Sequence, residues 1–454
     1  MSTQIDYETR FLSQAAKRWK PSGIRGLFPM EQIPGMISML AGKPNPQTFP
    51  FQSIAITLKP PVVSQSDKEE LPPVVLDLSG EELHNALQYG PTSGLPPFVS
   101  WITGLQQLSH HRGDPKEEGW KCSIGAGSQE LMHKAFSAIC NPDDSILIET
   151  PAYAGVLGFL QPFGANLIEV PSDEYGITET HLRSVLENWF TDEKTKALKF
   201  PKMIYTCPTG SNPTGASASL PRKQQILALV RKFDLLLVED DAYFYLHFDR
   251  PNRAPSYFEL EKSEGGQTGR VIRFDSLSKV LSSGMRLGFV TGPVPILNVI
   301  DLQTSNTNLQ TASLTQALAC KLLTHWGYDE FIAHCDRVAA FYACKLQAVE
   351  AAAKRHLDGL AEWNRPRAGM FLWFKLNIAK PGDEDNADSN ALVATTALKN
   401  GVLAVPGHEF MPSGRKTVFV RTSFSLIDEE TADEGFRRLA NAIKEARKEA
   451  GLDS

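Results

Sequence analysis

The stretch DLLLVEDDAY, which runs from Asp234 to Tyr243, indicates the fold class, because a short apolar run ends in three consecutive acidic residues. Such a run is typical of a strand that is buried on both faces of a sheet. Similar runs lie at Ser145–Thr150 (SILIET), Lys202–Cys207 (KMIYTC), Val271–Asp275 (VIRFD) and Leu287–Thr291 (LGFVT). Stretches with helical spacing of apolar residues lie between runs. This alternation predicts an α/β fold with right-handed crossovers and a mainly parallel sheet.

The pattern changes after about residue 325. A helical stretch at roughly 328–356 is followed by the apolar segments Gly369–Leu376 (GMFLWFKL) and Val418–Ser423 (VFVRTS), and then by a last amphipathic helix. This order predicts a second, α+β domain. Two polar stretches, Lys59–Pro73 and the acidic Ala379–Asn390, are expected to be connectors or surface loops.

Composition excludes several classes of function. The 454 residues carry a net charge of -6 without a basic block, which is not typical of proteins that bind nucleic acid or anionic membranes. No apolar run approaches the roughly 20 residues that span a bilayer, and the N-terminus does not resemble a secretory signal. The six cysteines form no CxxC pair, so we expect reduced thiols and a cytoplasmic protein.

A lysine follows one of the predicted strands. The segment Ser276-Leu277-Ser278-Lys279 comes directly after Val271–Asp275, and ligand sites of open α/β sheets lie at the carboxyl ends of strands. Partial desolvation at such a position would disfavour the ammonium form of Lys279 and make its amine available as a nucleophile. The alternative is an ordinary surface lysine, which is the more common case for a residue judged alone.

Carboxylates and an amide follow two further strands. Asp240 and Asp241 close the run at Asp234–Glu239, where buried carboxylates are costly unless they are paired. One of them could therefore face a buried cation, whereas simple solvation or helix capping is the alternative for both. The turn-rich segment Pro208–Gly215 (PTGSNPTG) presents Asn212 as a hydrogen-bond donor and acceptor.

Small residues precede a predicted helix at about 129–140. The segment Gly125–Gln129 (GAGSQ) would expose backbone N–H groups at the helix start, which suits a phosphate. Its spacing lacks the third glycine of a dinucleotide fingerprint and is not that of a P-loop, so nucleotide cofactors of those two kinds are not expected.

In their order along the chain, these segments resemble the pyridoxal-phosphate (PLP) enzymes of fold type I. They are more closely similar to the class I/II aminotransferases of the kynurenine/α-aminoadipate and fungal aromatic amino acid subgroup. The resemblance extends from about residue 25 to the end of the chain. The matching segments are MISMLAGKPNP (Met36–Pro46), LQYGPTSGLP (Leu87–Pro96), GSQ (Gly127–Gln129), PAYAG (Pro151–Gly155), SNPTG (Ser211–Gly215), EDDAY (Glu239–Tyr243), DSLSK (Asp275–Lys279), GMRLGF (Gly284–Phe289), AGMFLW (Ala368–Trp373) and VRTSFS (Val420–Ser425).

The resemblance implies an architecture and a cofactor. It implies a large PLP-binding domain (51–325) with a mainly parallel sheet of the seven-stranded type, and a small C-terminal α+β domain (326–454). An N-terminal segment (1–50) would cover the active site and add to the small domain. The cofactor would be pyridoxal 5'-phosphate, with no metal. The family also implies a homodimer with shared active sites.

The resemblance further assigns roles to residues. Lys279 would bind the cofactor covalently and move the proton in catalysis, and Asp240 would pair with the pyridine nitrogen, which must stay protonated if the cofactor is to drain electrons from the substrate. Asn212 and Tyr243 match residues that hydrogen-bond the ring hydroxyl, and Tyr153 matches the aromatic residue stacked on the ring. The phosphate would be held by Ser128, Gln129, Ser276, Ser278, Arg286 and, from the neighbouring subunit, Tyr89.

The substrate would be held mainly by Arg421, which matches the residue that binds the α-carboxylate. Asn212 would assist it, and Gly42 and Arg25 match the segment that closes over the substrate. We therefore expect an aminotransferase that moves the amino group of tyrosine, phenylalanine or tryptophan to 2-oxoglutarate by a ping-pong mechanism. The alternatives are a 2-aminoadipate or kynurenine aminotransferase, another reaction on the same cofactor, and a non-enzymatic regulator. Residues 1–50 are too short and insufficiently basic for the DNA-binding domain that such a regulator needs.

Overall fold

The secondary structure follows the predicted alternation of strands and helices. The computed structural model describes residues 5–21, 23, 27, 30–31, 33–40, 42–59, 73–380, 382–384 and 387–452, so Arg25 and most of the Lys59–Pro73 connector lie outside the described residues. The strands are β1 (Ser53–Thr57), β2 (Val75–Ser79), β3 (Trp120–Gly125), β4 (Ser145–Thr150), β5 (Asn166–Asp173), β6 (Gly176–Ile177), β7 (Met203–Thr206), β8 (Leu236–Asp240), β9 (Val271–Ser276), β10 (Gly288–Pro293), β11 (Ala361–Glu362), β12 (Phe371–Leu376), β13 (Val405–Pro406) and β14 (Phe419–Ser423). The α-helices are α1 (Gly80–Leu87), α2 (Pro96–Ser109), α3 (Pro115–Glu118), α4 (Ser128–Ile139), α5 (Ala154–Phe163), α6 (Glu179–Glu187), α7 (Leu220–Lys232), α8 (Tyr257–Ser263), α9 (Val294–Thr307), α10 (Ser313–Leu357), α11 (Ser389–Leu392) and α12 (Glu429–Glu449).

Helix α10 is broken at Gly327, whose φ of 66° lies in the left-handed region that glycine adopts at little cost. The part after this break agrees with the helix predicted at 328–356. Among the residues that the structure describes, no helix is both long and apolar enough to span a membrane.

Two compact units make up the chain, and unit 1 consists of Met1–Asn141 and Phe258–His334. Within it, β10 pairs antiparallel with both β3 and β9. Helix α4 buries Leu131, Ala135 and Ile139, which share one face because they are four residues apart. Strands β1 and β2 form a separate antiparallel pair that flanks the Lys59–Pro73 connector.

Unit 2 consists of Pro142–Tyr257 and Cys335–Ser454. Strands β8, β7, β4 and β5 pair in parallel in that order, and every residue of β4, β7 and β8 is buried. The same unit contains a four-stranded antiparallel sheet in the order β11-β12-β14-β13. One face of that sheet packs into an apolar core with α12, through Leu372, Phe374, Val420, Phe436 and Ile443.

Strand β10 departs from the parallel arrangement expected for its neighbours. It follows β9 after a connection of 11 residues, 277–287, in which the structure has only the short 3-10 helix Ser283–Met285. Antiparallel strands can be joined by such a short connection, whereas parallel strands need a longer crossover. The predicted division at residues 50 and 325 differs from the bounds of units 1 and 2, and it stays a prediction.

Candidate active site

Unit 1 contains the residues predicted to hold a phosphate. Ser128 is the first residue of α4 and follows Gly127, whose φ is 101°. A Cβ atom at Gly127 would lie 2.6 Å from Nη2 of Arg286. Glycine at this position therefore lets a guanidinium group approach the start of a helix, where backbone N–H groups and the helix dipole favour an anion.

Hydrogen bonds link Arg286 to Ser278, and Ser278 to Ser276, the last residue of β9. Arg286 Nη1 donates to Ser278 Oγ at 3.4 Å and to the carbonyl of Ser283 at 3.1 Å, and Nη2 donates to the carbonyl of Ala126 at 3.3 Å. The backbone N–H of Ser278 donates to Ser276 Oγ at 3.2 Å. Unit 1 thus gathers a cation, two hydroxyl groups and a helix start in one place.

The other predicted residues of unit 1 differ in their exposure to solvent. Lys279 follows Ser278 directly and is half-buried, whereas Gln129 is exposed on the first turn of α4. Tyr89 is 53% exposed, and Gly42 is also exposed. The described residues therefore place Tyr89 and Gly42 at the surface of this chain.

Unit 2 contains the carboxylate predicted to face the cofactor ring. Asp240 is the last residue of β8 and is only 5% exposed. Its Oδ2 atom accepts a hydrogen bond of 2.8 Å from the hydroxyl of Tyr205, a fully buried residue of β7. Burial, and next the charge of Asp240, raise the pKa of Tyr205 well above its usual range, so the hydroxyl remains a donor.

Arg421 of β14 is held by an amide and by two aromatic rings. Its Nη1 donates to Asn212 Oδ1 at 2.9 Å. The guanidinium carbon lies 4.4 Å from the centroid of the Phe371 ring and 5.1 Å from that of Phe410, in the range of cation–π contacts. Burial lowers the pKa of Arg421 from its ordinary value, but an arginine stays charged at neutral pH.

Two tyrosines complete this group. Tyr243 is 4% exposed and its ring stands edge-on to that of Phe371, with centroids 6.2 Å apart. Burial raises the pKa of Tyr243 beyond its usual range, so its hydroxyl is neutral. The half-buried Tyr153 lies at the start of α5, where a Cβ atom at Gly155 would collide with its ring. The glycine of PAYAG thus leaves room for the tyrosine.

Three contributors were not singled out from the sequence. Tyr205 lies inside the run KMIYTC, where a tyrosine in an apolar strand is the available signal, because its buried hydroxyl needs a partner. Phe371 belongs to the quoted AGMFLW segment, and the apolar pattern gave it no separate role. Phe410 lies in a 3-10 helix, Gly407–Phe410, whose sequence carries no periodic signal.

Comparison with known proteins decides the family. The family described as "Aminotransferase class I and II" matches residues 63–439 of this chain. The chain is a class I and II aminotransferase. Enzymes of this family depend on PLP, so the predicted family, reaction class, cofactor and fold class are confirmed.

Individual relatives place the aminotransferase in the aromatic/kynurenine/aminoadipate subgroup. It is 44% identical over 436 residues to aminotransferase tdiD of Emericella nidulans, and the match covers 96% of this chain and 95% of that protein. It is 38% identical over 445 residues to the mitochondrial kynurenine/alpha-aminoadipate aminotransferase of Bos taurus, with 96% and 99% covered. Among solved structures, aminotransferase Aro8 of Candida albicans is 25% identical, with a TM-score of 0.85 and 99% of each chain covered.

Each half of the aminotransferase offers groups that fit part of PLP. In unit 1, the Arg286 guanidinium, held close to Gly127 at the start of α4, suits a phosphate. In unit 2, the buried Asp240 offers an anion for a protonated ring nitrogen, and Arg421 offers a cation for a carboxylate. Among the described residues no group of histidines, cysteines and carboxylates could hold a metal ion.

Proposed function

We propose that the aminotransferase moves the amino group of an aromatic L-amino acid, namely tyrosine or phenylalanine, with tryptophan as a further donor, to 2-oxoglutarate. The products would be an arylpyruvate and L-glutamate, formed by a ping-pong mechanism in which the two substrates use one site in turn. The observation that carries this proposal is the setting of Arg421. It combines a cation for the substrate carboxylate with the rings of Phe371 and Phe410.

The physical argument concerns what surrounds the carboxylate-binding group. Arg421 is fixed by Asn212 before a substrate arrives, so little of its side-chain entropy remains to be lost on binding. The edge-on Tyr243 and Phe371 rings offer an aromatic surface beside it. Aromatic pairs contribute about 0.5–1.5 kcal/mol beyond the area that they bury, which favours an aromatic side chain in the donor.

Residues of unit 1 are proposed to hold the cofactor phosphate and to carry out proton transfer. Arg286, Ser276 and Ser278 would donate to the phosphate, together with Ser128 at the start of α4 and the exposed Gln129. Lys279 would hold the cofactor covalently. It would also take the proton from the substrate Cα on Nζ once the substrate has displaced it.

Residues of unit 2 are proposed to hold the cofactor ring and the substrate. When bound, PLP supplies an electron sink for cleavage of the Cα–H bond. The carboxylate of Asp240 would keep the ring nitrogen protonated, and Tyr243 and Asn212 would donate to the ring hydroxyl. Because Asn212 Oδ1 already accepts from Arg421, its amide N–H groups suit this donor role. Tyr153 would stack on the ring, while Gly42 and Arg25 would contribute to closure over the substrate.

A donor panel tests the substrate. Purified holoenzyme is given 2-oxoglutarate and each of tyrosine, phenylalanine, tryptophan, kynurenine and 2-aminoadipate, and kcat/KM is measured from glutamate formation. We expect the highest values for tyrosine or phenylalanine. A clear preference for 2-aminoadipate or kynurenine would contradict the aromatic proposal. A donor consumed without an equal amount of glutamate would instead indicate another reaction on the same cofactor.

The second candidate is a kynurenine or 2-aminoadipate aminotransferase. The name of the Bos taurus relative, 38% identical over nearly the whole chain, favours it. Kynurenine has an aromatic ring and would use the same surface, whereas 2-aminoadipate has a second carboxylate and would need a further cation. The ratio of kcat/KM for phenylalanine and 2-aminoadipate therefore separates the two candidates most directly.

We also propose a homodimer in which Tyr89 serves the active site of the neighbouring subunit. Tyr89 is 53% exposed in the single chain, and the nearby segment Met36–Pro46 presents Ile37 and Met39 to solvent. A partner subunit would cover these apolar side chains. Sedimentation velocity at micromolar concentration tests the proposal, and a stable monomer with full activity would contradict it.

A cytoplasmic location and the three-part division at residues 50 and 325 remain proposals. The six cysteines form no disulfide, and four of them are buried, which agrees with a reducing compartment. The Bos taurus relative is named as mitochondrial, so a fluorescent fusion imaged with a mitochondrial marker is the appropriate test of location. Limited proteolysis would test the domain division.

A further inference from the structure

A second buried group stands behind the carboxylate of Asp240. Tyr205 lies on β7 opposite Val238 of β8, and Asp240 follows two residues later on the same face of that strand. The Tyr205 hydroxyl can therefore reach along the sheet to Oδ2 of Asp240, at 2.8 Å. Tyr205 is fully buried and Asp240 is 5% exposed, so water does not substitute easily for this donor.

The contact has a chemical consequence for Asp240. A hydrogen bond donated to a carboxylate stabilises its charged form and fixes the plane of its two oxygens. Without the donor, the carboxyl group would hold its own proton at higher pH and would be freer to rotate. Both changes would weaken an ion pair with a protonated ring nitrogen, because that pair needs an ionised and correctly oriented carboxylate.

We propose that Tyr205 is a positioning residue for the reaction. Its hydroxyl keeps the carboxylate of Asp240 ionised and oriented toward the ring nitrogen of the cofactor. The inference rests on the proposed role of Asp240 and goes beyond it, because it assigns part of the control over that carboxylate to a residue that need not touch the cofactor. Tyr205 acts through Asp240, so removing its hydroxyl should change cofactor binding and the pH profile together.

The test compares Tyr205→Phe with Tyr257→Phe, a matched control that removes the hydroxyl of another buried tyrosine. We expect Y205F to weaken PLP binding to the apoenzyme about 10-fold, as measured by absorbance titration, since a hydrogen bond to a charged group contributes about that factor. The acid limb of its kcat–pH profile should move up by about one pH unit. The KM for the amino acid should change less than kcat, and Y257F should show none of these changes.

A double-mutant cycle shows whether Tyr205 acts through Asp240. In a D240N background, Y205F should change PLP affinity by less than about 2-fold, because the carboxylate that it serves is absent. An unchanged pH profile and PLP affinity in Y205F would overturn the inference. Failure of Y205F to fold, with Y257F folding normally, would also overturn it by assigning the hydroxyl to stability. A wild-type protein that binds no PLP would instead contradict the proposed function itself.

Discussion

Units 1 and 2 differ in how far their candidate ligand-binding groups are exposed to solvent. Arg286 in unit 1 is exposed and works beside Gly127 and backbone groups at a helix start, whereas Asp240 and Asn212 in unit 2 are almost fully buried. A phosphate is strongly hydrated and arrives with its charge, so it can be received at an open surface by several donors. The ring nitrogen of the cofactor must be kept protonated. A buried carboxylate stabilises this positive charge more strongly than a solvent-exposed carboxylate would, because water screens the interaction less.

The largest expected effect tests whether unit 1 contributes more than phosphate binding. Replacing Lys279 by alanine should lower turnover at least about 1000-fold, because it would remove both the covalent attachment and the proton transfer that we propose for this residue. Glutamate formation under saturating substrates measures the effect. The control is K116A, at an exposed lysine of α3, with thermal unfolding to confirm that both variants fold. Normal turnover of K279A would remove this residue from the mechanism.

The next effect concerns the buried character of unit 2. Glu149, at 2% exposure, accepts hydrogen bonds from Thr206 Oγ1 (2.6 Å) and from the N–H of Cys207 (2.9 Å), and burial raises its pKa to about 7. The folded chain thus holds this proton more tightly than the unfolded chain. The contribution of Glu149 to the free energy of unfolding is therefore greatest below about pH 4.5, and it is lost as the pH rises through about 7.

Glu149→Gln should therefore flatten the pH dependence of stability. At pH 8 we expect the variant to unfold with a free energy about 3 kcal/mol higher than the parent, whereas the two should be close at pH 5. Urea unfolding of the apoenzyme at both pH values measures this difference. The exposed Glu174→Gln is the control. If the free energy of unfolding changed equally between pH 5 and pH 8 in E149Q and in the parent, the Glu149 carboxyl group would not be a source of the pH dependence of stability.

A third effect separates substrate binding from cofactor binding. Arg421→Lys should lower kcat/KM for the amino acid about 100-fold, because a lysine cannot reproduce the planar contacts with Phe371, Phe410 and Asn212. The dissociation constant of PLP should change little. Steady-state kinetics and absorbance titration of the apoenzyme measure the two quantities. A parallel loss of PLP affinity would show that Arg421 serves the cofactor as well as the substrate.

The smallest effect is expected for the corresponding substitution in unit 1, which should affect cofactor binding rather than substrate binding. Arg286→Lys should weaken PLP binding about 10-fold, because its exposed contacts are shared with hydroxyl groups and the helix start. With saturating PLP, kcat/KM for the amino acid should stay within about 2-fold of the parent. A larger effect on the amino acid than on PLP would mean that Arg286 serves the substrate.

The sequence was sufficient for the strand pattern that positions both groups of residues. The run at Ser145–Thr150 agrees with β4, and the other four runs agree with strands to within two residues at each end, because buried strands leave continuous apolar segments. The direction of β10 could not be read in this way, since a strand has the same composition in either direction. It was set by the short connection after β9, which contains no α-helical crossover.

Contacts between individual side chains were harder to predict from the sequence. The motif SNPTG indicated Asn212, but not that its amide oxygen would hold Arg421, 209 positions away in the chain. Similarly, nothing in KMIYTC indicated that Tyr205 donates to Asp240. Such pairs depend on which strands are neighbours and on their relative alignment, which local patterns do not contain. The resemblance supplied residue roles, whereas the structure supplied their supporting partners.

The alternation of side chains along β14 has a consequence for how this family can change over time. Val420 enters the apolar core of unit 2, while the next residue, Arg421, lies on the opposite face of the strand beside the rings of Phe371 and Phe410. Insertion or deletion of a single residue within β14 would exchange these faces, burying the guanidinium in hydrocarbon and exposing the valine. Length variation is therefore expected to accumulate in the more exposed loop at 412–416 and to be excluded from the strand itself.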